Sequence, residues 1–172
     1  MARLRWVLLC SCVSVLLLHS SPTLAALNLE IQTASAEYRE PEKFELSLVF
    51  RNDGDAPIIV LPQSLRREYG SMGSGAARYS PYPGPPIEPW RDAFLLGPGQ
   101  SRTLTVHGMR DGDGVWVLEP GTYDLRLRLR VTPEVVEASR SQLEELGGEI
   151  WQGDMRSSGI RIRYAPALPI SG

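Results

Sequence analysis

Two histidines occur in the chain, and only His107 stands in patterned sequence, sharing the polar side of an alternating stretch with Thr103 and Thr105. A general base there would need a nucleophile to serve. No Gly-x-Ser-x-Gly elbow is present, and both cysteines, Cys10 and Cys12, lie in an apolar leader. One imidazole also falls short of the several His or Cys ligands that zinc takes. Asp111-Gly112-Asp113-Gly114 offers hard oxygens for calcium. A calcium-loop register begun at Asp111, however, puts Val115 at an acidic position and Thr122 where the bidentate glutamate belongs. Asn52-Asp53-Gly54-Asp55 fails similarly, with Pro57 in the way, so both stretches read as turns. Hydrolysis by carboxylates alone stays open as an alternative, although the 20 Asp and Glu residues form no recognisable pair. The expectation is a non-enzymatic protein with no catalytic residue, metal or cofactor.

Binding surfaces are better represented. Residues 62–92 are rich in Pro, Gly and Tyr and show no apolar period, so they are expected to form one long irregular insertion. Tyr69, Arg78, Tyr79, Tyr82, Trp90 and Arg91 fall within it. Tyr and Trp give large contact area at low entropic cost, and Arg adds directional hydrogen bonds, which makes these six the first candidate binding set. Loops of this length are usually functional or disordered. The second candidate is a basic face. Arg126, Arg128 and Arg130 share one side of a strand at about 7 Å spacing, and Arg161 and Arg163 share one side of another. Like charges on one sheet face need an answer. The acidic stretch Glu134, Glu137, Glu144, Glu145 and Glu149 is expected to supply it as a helix laid over the arginines. The functional alternative leaves the face open to an anionic envelope polymer.

These residues depend on a few elements for their positions. Arg3 and Arg5, the apolar run Val7 to Leu18 and a small-residue exit near Ala25 read as a secretory signal peptide over 1–25. Leu9-Cys10-Ser11-Cys12 loosely resembles a lipidation box but sits inside the apolar run. The rest, 26–172, is expected to be one exported domain, periplasmic or extracellular, with no membrane span. Loss of Arg3 and Arg5 leaves 16 basic residues against 20 acidic ones, a net charge of −4 and no footprint for nucleic acid.

The pattern of the remainder is β. Tyr123, Leu125, Leu127, Leu129 and Val131 alternate without a fault with Asp124 and the three arginines, behind a Pro120-Gly121 turn. Shorter alternations run over Leu27–Ile31, Phe44–Phe50, Leu104–Val106 and Ile160–Tyr164, the last behind an expected Ser157-Ser158-Gly159 turn. Ile58–Leu61 reads as a strand buried on both faces, joined to the one before it by a hairpin or a sheet-crossing corner. Pro133 to Leu146 carries a helical stripe of Val135, Ala138, Leu143 and Leu146, stopped by Gly147-Gly148. The predicted fold is all-β: a two-sheet antiparallel immunoglobulin-like sandwich with the long irregular insertion and one short helix before the last strand.

Phe44–Asn52 with its Asn-Asp-Gly turn, Leu96-Gly97-Pro98-Gly99 and Leu118–Tyr123 resemble the immunoglobulin-like and fibronectin-III-like domains of bacterial secreted proteins. A looser similarity runs to the bacterial intracellular proteinase inhibitor group. The first resemblance implies a "tyrosine corner" at Tyr123, its hydroxyl tied to backbone upstream, and neighbouring central and last strands. Fold likeness of this kind carries no function. The expected role is a secreted module binding a protein or envelope polymer through 62–92, with a protease-inhibitor-like module and a carboxylate-only glycan hydrolase as alternatives.

Overall fold

A computed structural model describes residues 27–39, 45–73, 75–81, 88–107, 110–111 and 114–168. The expected signal peptide, Phe44, Tyr82 and the tip of the Asp111–Gly114 turn lie outside the described residues. The strands in chain order are β1 (Leu27–Thr33), β2 (Glu37–Arg39), β3 (Glu45–Asn52), β4 (Ile58–Val60), β5 (Leu65–Met72), β6 (Ala77–Pro81) and β7 (Phe94–Leu96). Next come β8 (Ser101–His107), β9 (Arg110–Asp111), β10 (Gly114–Leu118) and β11 (Gly121–Val131). Helix α1 (Pro133–Leu143) precedes β12 (Glu149–Ile150), β13 (Gly153–Arg156) and β14 (Ile160–Ala165). The protein is therefore all-β with one short α-helix among the described residues. No described helix is long and apolar enough to cross a membrane.

The strands form four sheets: β1-β3-β8, β12-β4-β7, β6-β10-β9, and a five-stranded sheet centred on β11. In the last of these β5 runs along one edge of β11, while β13 and β14 share the other edge and β2 pairs β14 in parallel. Alternation dictates what lies inside. Leu125, Leu127, Leu129 and Val131 of β11 meet Leu29 and Ile31 of β1, Leu46, Leu48 and Phe50 of β3, and the buried run Ile58–Leu61 in one apolar cluster. Asn52 is buried at the corner between β3 and β4, where the chain crosses from one sheet to another. Its amide donates to the carbonyls of Ala56 and Leu96 at 2.8 and 3.0 Å, and its Oδ1 accepts from the Gly54 N–H at 2.9 Å. A buried amide is stable there because its hydrogen-bonding capacity is met.

Three expectations need correction. Residues 62–92 are not one irregular excursion, because β5 pairs β11 over eight positions and β6 pairs β10 over five. Leu65, Arg67, Tyr69 and Ser71 of β5 lie opposite the inward Leu129, Leu127, Leu125 and Tyr123, although Ser71 itself is exposed. A buried arginine and an exposed serine in that row erase the apolar period that would have marked the strand. Ser157-Ser158-Gly159 is a bulge rather than a turn. Arg156 pairs Arg128 and Ile160 pairs Leu125, so three residues on one strand face two on the other. The extra residue keeps both Met155 and Ile160 on the core side although one is odd-numbered and the other even. The Ser157 hydroxyl accepts the Leu127 N–H at 3.0 Å and holds the junction.

The third correction concerns α1. Proline in its first turn starts the helix as expected, directly after Thr132. Its buried residues are Ser139 and Leu143, and Ala138 is exposed. Ser139 fits because its hydroxyl donates back to the Val135 carbonyl at 2.7 Å. Val135 and Val136 pack on the main core cluster, to which β11 contributes its leucines. The helix therefore serves the apolar side of β11 and does not lie over the arginines.

Candidate binding face

The outer face of the five-stranded sheet is built by register alone. On β11 it carries Asp124, Arg126, Arg128 and Arg130. β5 sets Arg66 opposite Arg128 and Glu68 opposite Arg126. β13 sets Arg156 opposite Arg128 and Asp154 opposite Arg130. β14 sets Arg161 opposite Asp124 and Arg163 opposite Thr122, and β2 adds Glu37 and Arg39 at the margin. Among the described residues, eight arginines thus share the face with four carboxylates, in a chain whose formal net charge is −2. Five of them, Arg126, Arg128, Arg130, Arg161 and Arg163, are the basic face expected from the sequence.

Strand neighbours, rather than the helix, answer the charge. Arg128 donates to both oxygens of Asp154, at 2.8 and 2.6 Å, the paired geometry that a planar guanidinium suits. Arg130 lies 4.0 Å from the same carboxylate. Glu68 reaches across β11 to Arg156 at 3.1 Å and approaches Arg128 at 3.9 Å. Asp124 holds Arg161 at 3.2 Å, and Glu37 takes Arg39 at 3.2 Å and Arg163 at 3.8 Å. The guanidinium of Arg66 is turned onto the Gln63 and Leu65 carbonyls. Of the helical acids, Glu137 pairs with Arg140 on its own helix. The Glu134 carboxyl is held below its usual range mainly by a hydrogen bond with Thr132, with a smaller contribution from Arg130.

The Asp154 carboxyl is likewise held below its usual range, first by its hydrogen bond with Arg128 and further by the charges of Arg128, Arg130 and Arg156. A depressed carboxyl contributes stability that is present above its unfolded value of about 4 and is lost as pH falls through the lower folded value. Thermal melts between about pH 5 and about pH 2 should therefore show a steeper acid loss for the native chain than for Asp154→Asn. Parallel acid arms would mean the pair is too solvated to matter.

The first candidate set is dispersed. Tyr69 is half-buried between the two core clusters, its ring edge-on to Tyr123 at 6.4 Å. Trp90 is half-buried against the main core. Arg78 is exposed and 3.5 Å from Glu119, and Arg91 is exposed and 3.7 Å from Glu88. The backbone of Tyr79 pairs with Trp116, and Tyr82 lies outside the described residues. Two of the four aromatics are thus engaged in packing. Sequence reasoning did not place Arg66, Glu68, Asp154 and Arg156 on this face. The alternation Asp154-Met155-Arg156 was a signal for the last two, whereas inward Arg67 masked the first two.

The structure defines an all-β protein with an exposed, arginine-rich sheet face. No family model and no curated protein matches the chain.

Proposed function

We propose that this protein is an exported, non-enzymatic binding module that holds an anionic envelope polymer against the outer arginine face of its five-stranded sheet. The observation that carries this reading is the imbalance on that face, eight arginines to four carboxylates, in a chain that is acidic overall. A local field opposite in sign to the net charge serves recognition better than solubility, which the net charge already provides. The 62–92 segment takes part through β5, which supplies Arg66 and Glu68 to one border of the face. The finer fold reading is an immunoglobulin-like sandwich. It is supported by the single core shared between the β1-β3-β8 sheet and β11, by the adjacency of β11 and β14, and by the tie of the Tyr123 hydroxyl to the Glu119 and Ala76 carbonyls.

Binding of polygalacturonate, polyphosphate and dextran sulfate tests the reading. At least one polymer should bind at low salt and weaken steeply between about 50 and about 500 mM salt, as screened contacts do. Arg161→Gln with Arg163→Gln should weaken that binding several-fold and leave the melting temperature nearly unchanged, because both arginines are exposed. Absence of binding to every polyanion at low salt, or full affinity in the double variant, would refute it.

A further inference from the structure

Most arginines of the outer face already hold a carboxylate or a carbonyl, and Arg126 does not. Its cross-strand neighbour on β5 is Glu68, whose carboxylate is directed to Arg156 and Arg128. Among the described residues Arg126 makes no ion pair and no hydrogen bond. On its other side the register places Gly159, since the next pair along is Leu125 with Ile160. A glycine at that outward position leaves a gap in the layer of side chains. A Cβ built on Gly159 would lie 3.2 Å from Arg126 Nε and 3.4 Å from its Cγ. The arginine stem therefore lies along the strand in the space that the missing side chain provides.

The bulge is the reason this gap exists. The extra residue in Ser157-Ser158-Gly159 interrupts the pairing with β11 between β13 and β14, so that Arg156 and Arg161 stand at its two sides instead of at successive outward positions. Arg128, two residues along β11, makes the remaining border. The bordering guanidiniums are committed to Glu68, Asp124 and Asp154, so they contribute field while their donors are occupied. Arg126 contributes an open fork of N–H donors in that field. A planar fork of this kind matches two oxygens of a carboxylate, phosphate or sulfate.

We infer that the notch of Arg126 over Gly159 is the seat for one oxyanion of the bound polymer, gripped by the Arg126 guanidinium and surrounded by Arg128, Arg156 and Arg161. This rests on the proposed use of the face and adds its specific point of contact. The ligand chemistry is a pendant oxyanion on an extended chain. Its identity as carboxylate, phosphate or sulfate is read from which of polygalacturonate, polyphosphate and dextran sulfate binds most tightly.

The test compares the full chain with Arg126→Gln, Arg126→Lys and Arg163→Gln, each against the tightest of the three polymers. Loss of a charge-assisted pair of hydrogen bonds should lower affinity about 10-fold or more in Arg126→Gln. Arg126→Lys should remain several-fold weak, because an ammonium restores the charge but not the fork. Arg163→Gln, at the margin and committed to Glu37, should lose only about 2-fold. A side-chain Nε–H resonance that shifts on adding the polymer and is missing in Arg126→Gln would place the anion at this residue. Equal losses in Arg126→Gln and Arg163→Gln, or full rescue by lysine, would overturn the notch and leave a diffuse basic face standing. No binding by the native chain would overturn both.

Discussion

Truncating Leu127 to alanine is expected to cost about 2–5 kcal/mol of stability, the range for a buried leucine that leaves a cavity. Leu127 is 1% exposed and sits mid-strand in the longest run of the sheet, with Leu125 and Leu129 on either side at 0%. Its inward cross-strand neighbour on β5 is Arg67, a long side chain that cannot collapse into a methyl-lined void as a leucine would. Arg128 points the other way. Arg128→Ala removes the contact with Asp154, which water and salt screen at the surface, so its urea midpoint should fall by a small fraction of the Leu127 shift. Equal midpoints would mean that the carboxylates left behind, Asp154 and Glu68, are less solvated than their exposure implies. A larger loss at Arg128 would reverse the assignment of the two faces.

This contrast rests on a register that could be read directly from the residues. The alternation of Tyr123 to Val131 fixed which side chains enter the core, since a one-residue slip would expose all of them. The continuous run Ile58–Leu61 likewise betrayed a strand covered on both sides, and all four residues are 1% exposed or less. Two features were hidden for physical reasons. β5 is stabilised by its pairing with β11 more than by an apolar face of its own, so buried Arg67 and exposed Ser71 in its core-side row concealed it. The bulge at Ser157 to Gly159 was concealed by its composition, because Ser-Ser-Gly favours a turn as readily as a bulge. Only the register on both sides of it separates the two.

The candidate face was legible in part for the same reasons. Arg126, Arg128, Arg130, Arg161 and Arg163 declare themselves by period two, and the adjacency of β11 and β14 joins them. What covers or answers them is a tertiary question. The acidic helix had the right charge, but its apolar residues Val135, Val136 and Leu143 commit it to the core. Hydrophobic burial therefore decided its placement over surface attraction, which screening makes weak. The answering acids came from Glu37, Glu68, Asp124 and Asp154, which are scattered in sequence and meet only through the sheet.

The second large effect is expected at the corner where Gly75, Gly121 and Tyr123 meet. Tyr123 is fully buried, and its hydroxyl donates to the carbonyls of Glu119 and Ala76, the latter at 3.1 Å. Replacing it with phenylalanine removes that donor, a loss of about 1–3 kcal/mol. The Glu119 carbonyl is left short of a partner, while the Ala76 carbonyl keeps the Glu119 N–H at 3.0 Å. Gly75→Ala should cost about 1–3 kcal/mol by crowding. A Cβ on Gly75 would lie 2.6 Å from the Tyr123 hydroxyl and 3.1 Å from both the Gly121 Cα and the Pro120 carbonyl. The last two are backbone atoms of the turn that feeds β11, so relief requires the strand itself to move. Because the two substitutions share the hydroxyl, the double variant should lose less than the sum of the singles. The alkaline limb offers an independent reading. Burial is the main reason the Tyr123 phenol titrates above its usual range, with the nearby Glu119 charge adding to it. Its contribution is therefore fully present below about pH 10 and is lost as pH rises through the higher folded value. Thermal melts from about pH 8 upward should show a steeper decline for the native chain than for Tyr123→Phe. Strict additivity together with identical alkaline limbs would show that the hydroxyl is no part of the corner, and that Gly75 and Gly121 alone set how closely the two segments approach.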